Sequence, residues 1–390
     1  MNVLKTIPAL SSIIGKLGLF VTILTLLLAC GSEVVNKPAE LEKMRDKVSI
    51  KRIWKVSVGS GDNDLRLQLS PVIKDDLIYA LDTEGLLTVL NRLSGEVEWE
   101  RELEDSVSGG LEVDAQRLYY ATFQGELVCL DRYSGNQIWR RELTSEAISS
   151  PSSNGRVVAV QTIDGKLFSF DTTEGIQRWR YDSVGPILSL RGTSSPLVSK
   201  SFTITTFANG EMLAFDNKNG STFWKASIGL PQGRTELERL VDADGKAVID
   251  AERIYAASYQ GRVVALNATT GSEVWSKPIS TYSGVAVGFT QVFVANEDGD
   301  VVAFNKLNSN EVWRNEKLKY RRLSAPTVVQ DMVVVSDFEG YLHFMSQVDG
   351  EIVARKHPDS DGVMGDVLVV DDMVYVYARS GDIVAYRIFN

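Results

Sequence analysis

Residues 125–139 read GELVCLDRYSGNQIW, and this stretch decides the fold of the chain. It opens with a glycine, continues as an apolar strand from Glu126 to Leu130, turns at Gly135 and ends in a strand that carries Trp139. Glycine adopts the positive backbone φ that tight turns between antiparallel strands require. The stretch therefore predicts two successive strands, each entered through a glycine turn.

The same pattern recurs eight times along the chain. The opening glycines are spaced by 40, 40, 45, 51, 38, 41 and 41 residues. They are Gly85, Gly125, Gly165, Gly210, Gly261, Gly299, Gly340 and Gly381. A period near 40 residues built from short strands is typical of β-propellers. The sequence predicts an all-β fold, an eight-bladed β-propeller of four-stranded antiparallel blades over residues 49–390.

The second turn of each copy and the strand that follows it repeat almost as regularly. The turn glycines are Gly95, Gly135, Gly175, Gly220, Gly271 and Gly350, and the strand then carries Trp99, Trp139, Trp179, Trp224, Trp275 or Trp313. In the sixth copy we expect Asn310 to replace the turn glycine, because asparagine tolerates a left-handed conformation. The seventh copy has Ala354 in place of tryptophan. We expect the tryptophans to be core residues wedged between neighbouring blades.

The eighth copy contains three strands and lacks the tryptophan strand. A matching strand, IWKVSV, stands ahead of the first copy at residues 53–58. We expect this N-terminal strand to complete the last blade, because a closed ring removes the exposed edges of an open arrangement.

The first 29 residues have the composition of an export signal. Lys5 and Lys16 precede an apolar run over residues 17–29. That run is short for a membrane span, which favours a cleaved signal peptide over residues 1–29.

The apolar run ends in LLAC at residues 27–30 and resembles the lipobox of bacterial lipoproteins. The resemblance implies that Cys30 is lipidated and anchors the mature chain. Gly31 follows Cys30, and in such lipoproteins the absence of Asp there favours the outer membrane. The alternative is an ordinary signal peptide with an incidental cysteine. Residues 30–48 are polar and predict a lipidated cysteine followed by a flexible tether.

Composition argues against several kinds of chemistry. The net charge is −10, from 41 basic and 51 acidic side chains without a basic block, which disfavours nucleic-acid binding. His343 and His357 lie in different segments with no third partner at metal spacing. Cys129 lies inside a strand and is expected to be a buried, inert residue. The sequence predicts no catalytic residue, no metal site and no cofactor.

Three connections between copies are longer than the rest. From each tryptophan to the next first strand the ordinary distance is 10–13 residues, but Trp54 to Pro71 and Trp179 to Pro196 measure 17, and Trp224 to Ala247 measures 23. Insertions in repeat proteins often mark the binding face. Because the last two join consecutive blades through the same type of connection, we expect them to emerge side by side on one face.

The contents of these two insertions favour a protein interface. Residues 185–192 read GPILSLRG and residues 235–244 read TELERLVDAD. Leucines flanked by Arg and Asp are typical of an interface with an apolar centre and a polar rim. The alternative is internal: Leu188 and Leu190 turn into the core while Arg191 pairs with an acidic residue of the second insertion.

Over residues 50–390 the repeats resemble the tryptophan-docking repeats of quinoprotein dehydrogenases, which bind a quinone and Ca²⁺ on the propeller axis. This chain lacks their adjacent cysteines and their long active-site insertions. Lipobox, tether, eight repeats and the two insertions together resemble the BamB family, lipoproteins of the outer-membrane β-barrel assembly machinery. A departure follows Asp244, where Gly245-Lys246-Ala247 stands in place of an expected proline.

The BamB resemblance implies a scaffold in the outer membrane, facing the periplasm, that binds the POTRA domains of a BamA-like subunit. The implied contact residues are Leu188, Leu190, Arg191, Arg239, Leu240, Asp242 and Asp244. Unfolded β-barrel clients are possible further partners, through pairing with the edges of the propeller sheets. The alternatives are a quinoprotein-like periplasmic dehydrogenase and a generic lipoprotein adhesin or ligand-binding propeller.

Overall fold

The computed structural model describes residues 36–61, 67, 69–183, 193–229 and 245–389. One compact unit runs from Pro38 to Asn390, and its strands form eight four-stranded antiparallel sheets. The predicted eight-bladed propeller is confirmed. Within the described ranges there is no helix with the length and apolar character needed to cross a membrane.

The strands follow the predicted order, with the first strand of the chain belonging to the last blade. This strand is β1 (Ser49–Ser57). Blade 1 contains β2 (Val72–Lys74), β3 (Leu77–Leu81), β4 (Leu86–Asn91) and β5 (Val97–Glu102). Blade 2 contains β6 (Val107–Val113), β7 (Arg117–Thr122), β8 (Glu126–Asp131) and β9 (Gln137–Glu142). Blade 3 contains β10 (Ser152–Ser153), β11 (Val157–Gln161), β12 (Lys166–Asp171) and β13 (Gln177–Asp182). Blade 4 contains β14 (Leu197–Val198), β15 (Phe202–Thr206), β16 (Glu211–Asp216) and β17 (Thr222–Ser227).

The second half of the ring repeats this arrangement. Blade 5 contains β18 (Val248–Asp250), β19 (Arg253–Ala257), β20 (Arg262–Asn267) and β21 (Glu273–Pro278). Blade 6 contains β22 (Val285–Val287), β23 (Gln291–Ala295), β24 (Val301–Asn305) and β25 (Glu311–Asn315). Blade 7 contains β26 (Thr327–Val329), β27 (Met332–Ser336), β28 (Leu342–Ser346) and β29 (Ile352–Lys356). Blade 8 contains β30 (Val363–Val370), β31 (Met373–Ala378), β32 (Asp382–Phe389) and, as its outer strand, β1.

The up-and-down order of the strands separates two faces of the ring. Turns between the second and third strands lie on the same face as the blade-to-blade connections, as in the bond from Leu103 N to Gly85 O (2.8 Å). We call this the connection face. The remaining turns lie on the opposite, hairpin face, where Arg92 N donates to Asp76 O (2.9 Å). Every connection between blades therefore begins and ends on the connection face.

Each tryptophan docks on the hairpin-face turn of the next blade. Trp179 covers Gly220 and donates its indole N–H to Asn217 O (3.2 Å). A Cβ atom on Gly220, whose φ is +73°, would lie 2.8 Å from the Trp179 ring. The same indole bond joins Trp54 to Arg92 O, Trp139 to Thr172 O, Trp224 to Ala268 O, Trp275 to Lys306 O and Trp313 to Gln347 O. At Gly220 glycine therefore meets two constraints, the left-handed backbone angle and the small space left beneath the indole ring.

The prediction for the turn of blade 6 was wrong by one residue. Ser309, not Asn310, has the positive φ, at 60°. Its N–H donates to Asn305 O (2.9 Å), as the N–H of Gly95 does to Asn91 O in blade 1. The turn position is fixed by its distance to the following tryptophan, and Ser309 stands four residues before Trp313, as the glycines do before theirs.

The N-terminal strand closes the ring as predicted. β1 pairs with β32 from Ser49 opposite Phe389 to Ser57 opposite Asp382. In blade 8 the third and fourth strands come from opposite ends of the chain, so no hairpin turn joins them and blade 7 has no platform on which to dock a tryptophan. Ala354 occupies the position instead and lies fully buried in the apolar cluster shared with blade 8.

Cys129 lies on β8 and is fully buried, as predicted. Burial raises the pKa of its thiol to about 12. The thiol therefore stays protonated at neutral pH, and the side chain acts as a small apolar residue of the cluster between blades 2 and 3.

The docking geometry predicts that Gly220→Ser destabilises the propeller. A side chain at a left-handed position pressed against Trp179 is expected to lower the free energy of unfolding by about 2–4 kcal/mol in urea titration. The matched control is Ser309→Gly, which removes a side chain from the equivalent turn and is expected to leave stability unchanged or to raise it by about 1 kcal/mol, because glycine relieves the left-handed strain there. An unfolding midpoint for Gly220→Ser equal to that of the parent would contradict the docking constraint.

Candidate partner-binding site

The residues predicted to bind a partner lie outside the described ranges. Leu188, Leu190 and Arg191 fall within residues 184–192, and the second group falls within residues 230–244. That second group is Arg239, Leu240, Asp242 and Asp244. Cys30 also lies outside the described residues.

The flanks of both insertions are described, and they lie on the connection face. Ser183 N donates to Gly165 O in blade 3 (3.0 Å), and Gly229 N donates to Gly210 O in blade 4 (3.2 Å). Gly165 and Gly210 are the connection-face turns of adjacent blades. The two insertions therefore leave the ring on one face and from neighbouring blades.

The residues that follow the second insertion pack tightly against the connection between blades 5 and 6. A Cβ atom on Gly245 would lie 3.0 Å from Gly284 Cα and 3.0 Å from Ser283 O. Gly284 belongs to the connection between blades 5 and 6. This close backbone approach places the end of the second insertion beside the next blade-to-blade connection.

Blade 5 departs from the regular turn at this point. In the other seven blades the glycine of the connection-face turn has the positive φ, whereas here Gln260 has it, at 48°. A non-glycine residue in this conformation carries backbone strain, as Asp75, Gln330 and Asp371 also do in hairpin-face turns of this propeller. The Gln260 N–H donates to Ser280 Oγ (2.9 Å), which ties the turn to the following connection.

Two tyrosines stack beside this strained turn. The rings of Tyr259 and Tyr282 have centroids 4.3 Å apart with an interplanar angle of 20°, and Tyr282 is 61% exposed. Partial burial, reinforced by Tyr259, raises the pKa of Tyr282, so its hydroxyl stays neutral. Rigid aromatic side chains with a polar end are typical anchors of protein interfaces.

A buried threonine holds the loop that carries Tyr282 against blade 6. Thr281 is 2% exposed and donates its hydroxyl to Ala295 O on β23. The same hydroxyl oxygen accepts the Ser283 N–H (3.1 Å). With the residues on both sides held in this way, Tyr282 is directed outward at the rim of the connection face.

The sequence analysis missed the tyrosine pair. The two residues are 23 positions apart in the chain and belong to different repeat units. The available signal was local and weak: tyrosine occupies the Ser258–Gly261 turn and the following connection, but other copies also have a large apolar residue in this turn, as at Phe123, Ile163 and Phe338.

The axis of the ring carries a carboxyl group with a shifted pKa. Glu112 on β6 accepts the backbone N–H of Ser153 on the inner strand of blade 3 (2.9 Å). Burial raises the pKa of Glu112 to about 7, while Lys246 and Lys74 oppose the shift. Glu112 lies on the innermost strand of its blade and contacts the innermost strand of the next, so it faces the region where the inner strands converge.

The two histidines flank one tyrosine in blade 7. His357 stacks on Tyr341 with centroids 4.2 Å apart, and His343 lies 6.3 Å from the same ring. His343 is fully buried against Asp337 (2.8 Å), and burial lowers its pKa, so the imidazole is neutral. In the described part of the chain no group of three or more His, Cys, Asp or Glu side chains is placed to hold a metal ion.

Comparisons with known proteins agree on one family. The profile of the family described as outer membrane protein assembly factor BamB matches residues 45–106, 85–315 and 297–389. The outer membrane protein assembly factor BamB of Pseudomonas aeruginosa is 48% identical over 351 residues, which cover 90% of this chain and 92% of that protein. The crystal structure of BamB from Moraxella catarrhalis has a TM-score of 0.79 at 26% identity, covering 87% of this chain and all of that one.

A more distant likeness concerns the fold alone. The quinohemoprotein alcohol dehydrogenase of Comamonas testosteroni has a TM-score of 0.67 at 13% identity, covering 87% of this chain and 76% of that one. The sequence analysis predicted that the repeats resemble those of quinoprotein dehydrogenases, and this comparison shows that the blades are also arranged alike.

Glu112 predicts a specific dependence of stability on pH. Its folded pKa of about 7 exceeds the unfolded value of 4.5, so the stability that it contributes is complete below pH 4.5 and is lost as pH rises through 7. We expect Glu112→Gln to be more stable than the parent by roughly 1–3 kcal/mol above pH 7 and equal to it below about pH 4.5. Urea titrations across this range test the prediction; a difference independent of pH would contradict it.

Proposed function

Because the chain belongs to the BamB family of outer membrane protein assembly factors, we propose that it is a non-catalytic scaffold that binds a BamA-like subunit. It acts in the assembly of outer membrane proteins and is associated with the outer membrane on its periplasmic side. The observation that carries the proposed interface is the position of both insertion flanks on one face at neighbouring blades. This gives two segments from different parts of the sequence a common surface.

The proposed binding surface extends from blade 3 to the connection between blades 5 and 6. Leu188, Leu190 and Arg191 provide an apolar and a cationic contact, and Arg239, Leu240, Asp242 and Asp244 provide the second half. The stacked Tyr259 and Tyr282 border the described flank of the second insertion and extend the surface by an exposed aromatic pair. POTRA domains of the BamA-like subunit are the proposed occupant.

The positions of the departures from the repeat support a scaffold rather than an enzyme. The two long insertions, the strained Gln260 turn and the tyrosine pair all belong to the connection face. In the quinoprotein dehydrogenases that the repeats resemble, the chemistry takes place on the axis. A chain whose longest insertions and exposed aromatic pair share one face is arranged for contact with another protein.

The outer strands supply a second, weaker proposed contact, with unfolded clients. Each outer strand pairs with one neighbour in its four-stranded sheet. Five of them expose an apolar side chain directly before the docked tryptophan, with exposures between 40% and 55%. These residues are Ile53, Ile138, Phe223, Val274 and Val312. An apolar strand edge of this kind can pair with an extended segment of an unfolded β-barrel protein.

The proposed interface is tested by co-purification of the chain with its BamA-like partner in mild detergent. We expect Leu188→Ala combined with Arg191→Glu to reduce recovery of the partner at least tenfold, because loss of a buried anchor or a paired charge typically costs about 2 kcal/mol or more. Tyr282→Ala is expected to weaken recovery by a smaller factor. The control is Leu307→Ala, which removes a 73% exposed apolar side chain from the hairpin face.

Recovery of the partner by the Leu188/Arg191 variant at the level of the parent, with an unchanged thermal melt, would refute the interface. Equal losses for Leu307→Ala would show that exposed apolar surface in general, and not the connection face, determines binding.

The proposed lipid anchor is tested separately at Cys30. We expect Cys30→Ser to abolish acyl attachment, because serine lacks the thiol that accepts the lipid, and to move the chain from the membrane fraction to the soluble fraction. Mass spectrometry of the mature N-terminus and membrane flotation provide the two measurements. If Cys30→Ser remains bound to membranes that contain no BamA-like subunit, the proposed anchor at Cys30 is refuted.

A further inference from the structure

The segment from Pro38 to Lys47, part of the predicted tether, is bonded to the outer rim of the propeller. Ala39 N donates to Lys319 O (2.9 Å), and Ala39 O accepts Nη1 of Arg321 (2.9 Å). Leu41 packs against the apolar cluster between blades 6 and 7. We call residues 38–47 the strap.

The second half of the strap follows the outer strand of blade 7. Arg355 of β29 donates its Nη1 to Glu42 O (2.8 Å) and its backbone N–H to Asp46 Oδ1 (3.0 Å). Lys47 N donates to Val353 O (2.7 Å). Asp46 also forms an ion pair with Lys356. Backbone and side-chain bonds together cover the edge of β29 that would otherwise lack a neighbour.

The two arginines that hold the strap are themselves held in place. Arg321 is buried and donates its Nε to Asp337 (2.7 Å), with Glu339 as a further partner. Arg355 donates its Nε to His343 Nδ1 (3.2 Å). A guanidinium group already fixed by such bonds loses little freedom when it binds the strap. The receptor for the strap is therefore part of the rigid blade.

The strap runs from the connection face toward the hairpin face. Lys319, which contacts Ala39, lies between β25 and β26 and so belongs to a blade-to-blade connection. Val353, which contacts Lys47, stands near the start of β29, next to the hairpin-face turn. The chain thus joins the propeller at the connection face, on the same face as the two insertions.

We propose that the strap fixes the exit of the membrane anchor on the connection face and so turns this face toward the membrane. The inference rests on the proposed lipidation of Cys30. Pro38 stands eight positions after Cys30, and this length of chain spans at most about 29 Å when fully extended. A free tether of eighteen residues up to Val48 would span up to roughly 65 Å and would start at the hairpin face. The strap thus reduces the maximum distance between the lipid anchor and the propeller by about half, and it makes the connection face the one from which the anchor leaves.

The consequence concerns the partner. The proposed surface for the BamA-like subunit lies on the connection face at blades 3 to 5, and the strap enters that face at blades 6 and 7. A propeller held by the strap presents the partner site to the space between itself and the bilayer. The anchor then orients the propeller relative to the bilayer before the partner binds.

The test measures the distance of each face from a bilayer by fluorescence energy transfer. The lipidated full-length chain is purified from membranes and placed in vesicles of phosphatidylethanolamine and phosphatidylglycerol with an acceptor on the headgroups. A donor is attached to Glu316→Cys on the connection face or to Leu307→Cys on the hairpin face. Both positions are exposed and stand on opposite sides of β25, and the native Cys129 is buried. We expect stronger transfer from position 316 than from position 307.

The strap is released by Leu41→Ser combined with Asp46→Ala, which leaves the blades unaltered. The control is Glu40→Ala, which removes the same charge from an exposed strap residue with no hydrogen bond or ion pair in the described structure. Hydrogen exchange of residues 39–47 reports whether the strap has detached. If it stays bound, Ala39→Pro removes the N–H that bonds to Lys319. We expect release to abolish the difference between the two donor positions and the control to preserve it.

Equal transfer from the two positions with a bound strap overturns the proposal, as does a difference that persists after hydrogen exchange shows the strap released. Flotation of the same vesicles separates this result from the proposed function. A chain that does not float refutes the anchor at Cys30, whereas a chain that floats with equal transfer refutes only the role of the strap.

Discussion

The docking of each tryptophan on the hairpin turn of the next blade is the interaction on which the rest of the structure depends. The indole ring covers a left-handed glycine, and its N–H satisfies a carbonyl of the same turn, as Trp224 does with Gly271 and Ala268. One contact therefore fixes the distance, the tilt and the register between two blades. A blade's four strands bury little by themselves, so stability comes from repeating this contact around the ring.

The single gap in the tryptophan series follows from the same contact. A tryptophan needs a turn to cover, and blade 8 has none because its outer strand comes from the other end of the chain. The replacement of tryptophan by Ala354 and the closure of the ring by β1 therefore have the same cause. Trp54 on β1 continues the series by docking on Gly95 of blade 1, so the closing strand is held by pairing with β32 and by docking.

The sequence predicted what is repeated and local. The glycine period gave eight blades, and the displaced IWKVSV strand gave the closure. The placement of Asn310 failed because residue preference was used where distance to tryptophan decides, and Ser309 takes the strained position. Of the candidate site, gap lengths located the insertions and their face. The Tyr259–Tyr282 stack and the strap were not predicted. Contacts such as the bond from Ala39 to Lys319 join residues far apart in the chain, and they produce no repeating pattern in the sequence.

The two faces of the ring differ in which contacts between blades they carry. The turns that tryptophans cover lie on the hairpin face, where an added Cβ atom on Gly175 or Gly271 would collide with a ring. The connection face carries none of these docking platforms, so residues inserted there lengthen a loop without altering the distance between blades. The described flanks of both long insertions, the Gln260 turn and the entry of the strap belong to that face. A propeller of this kind can acquire a binding function on one face because the tryptophan contacts that join its blades are made near the other.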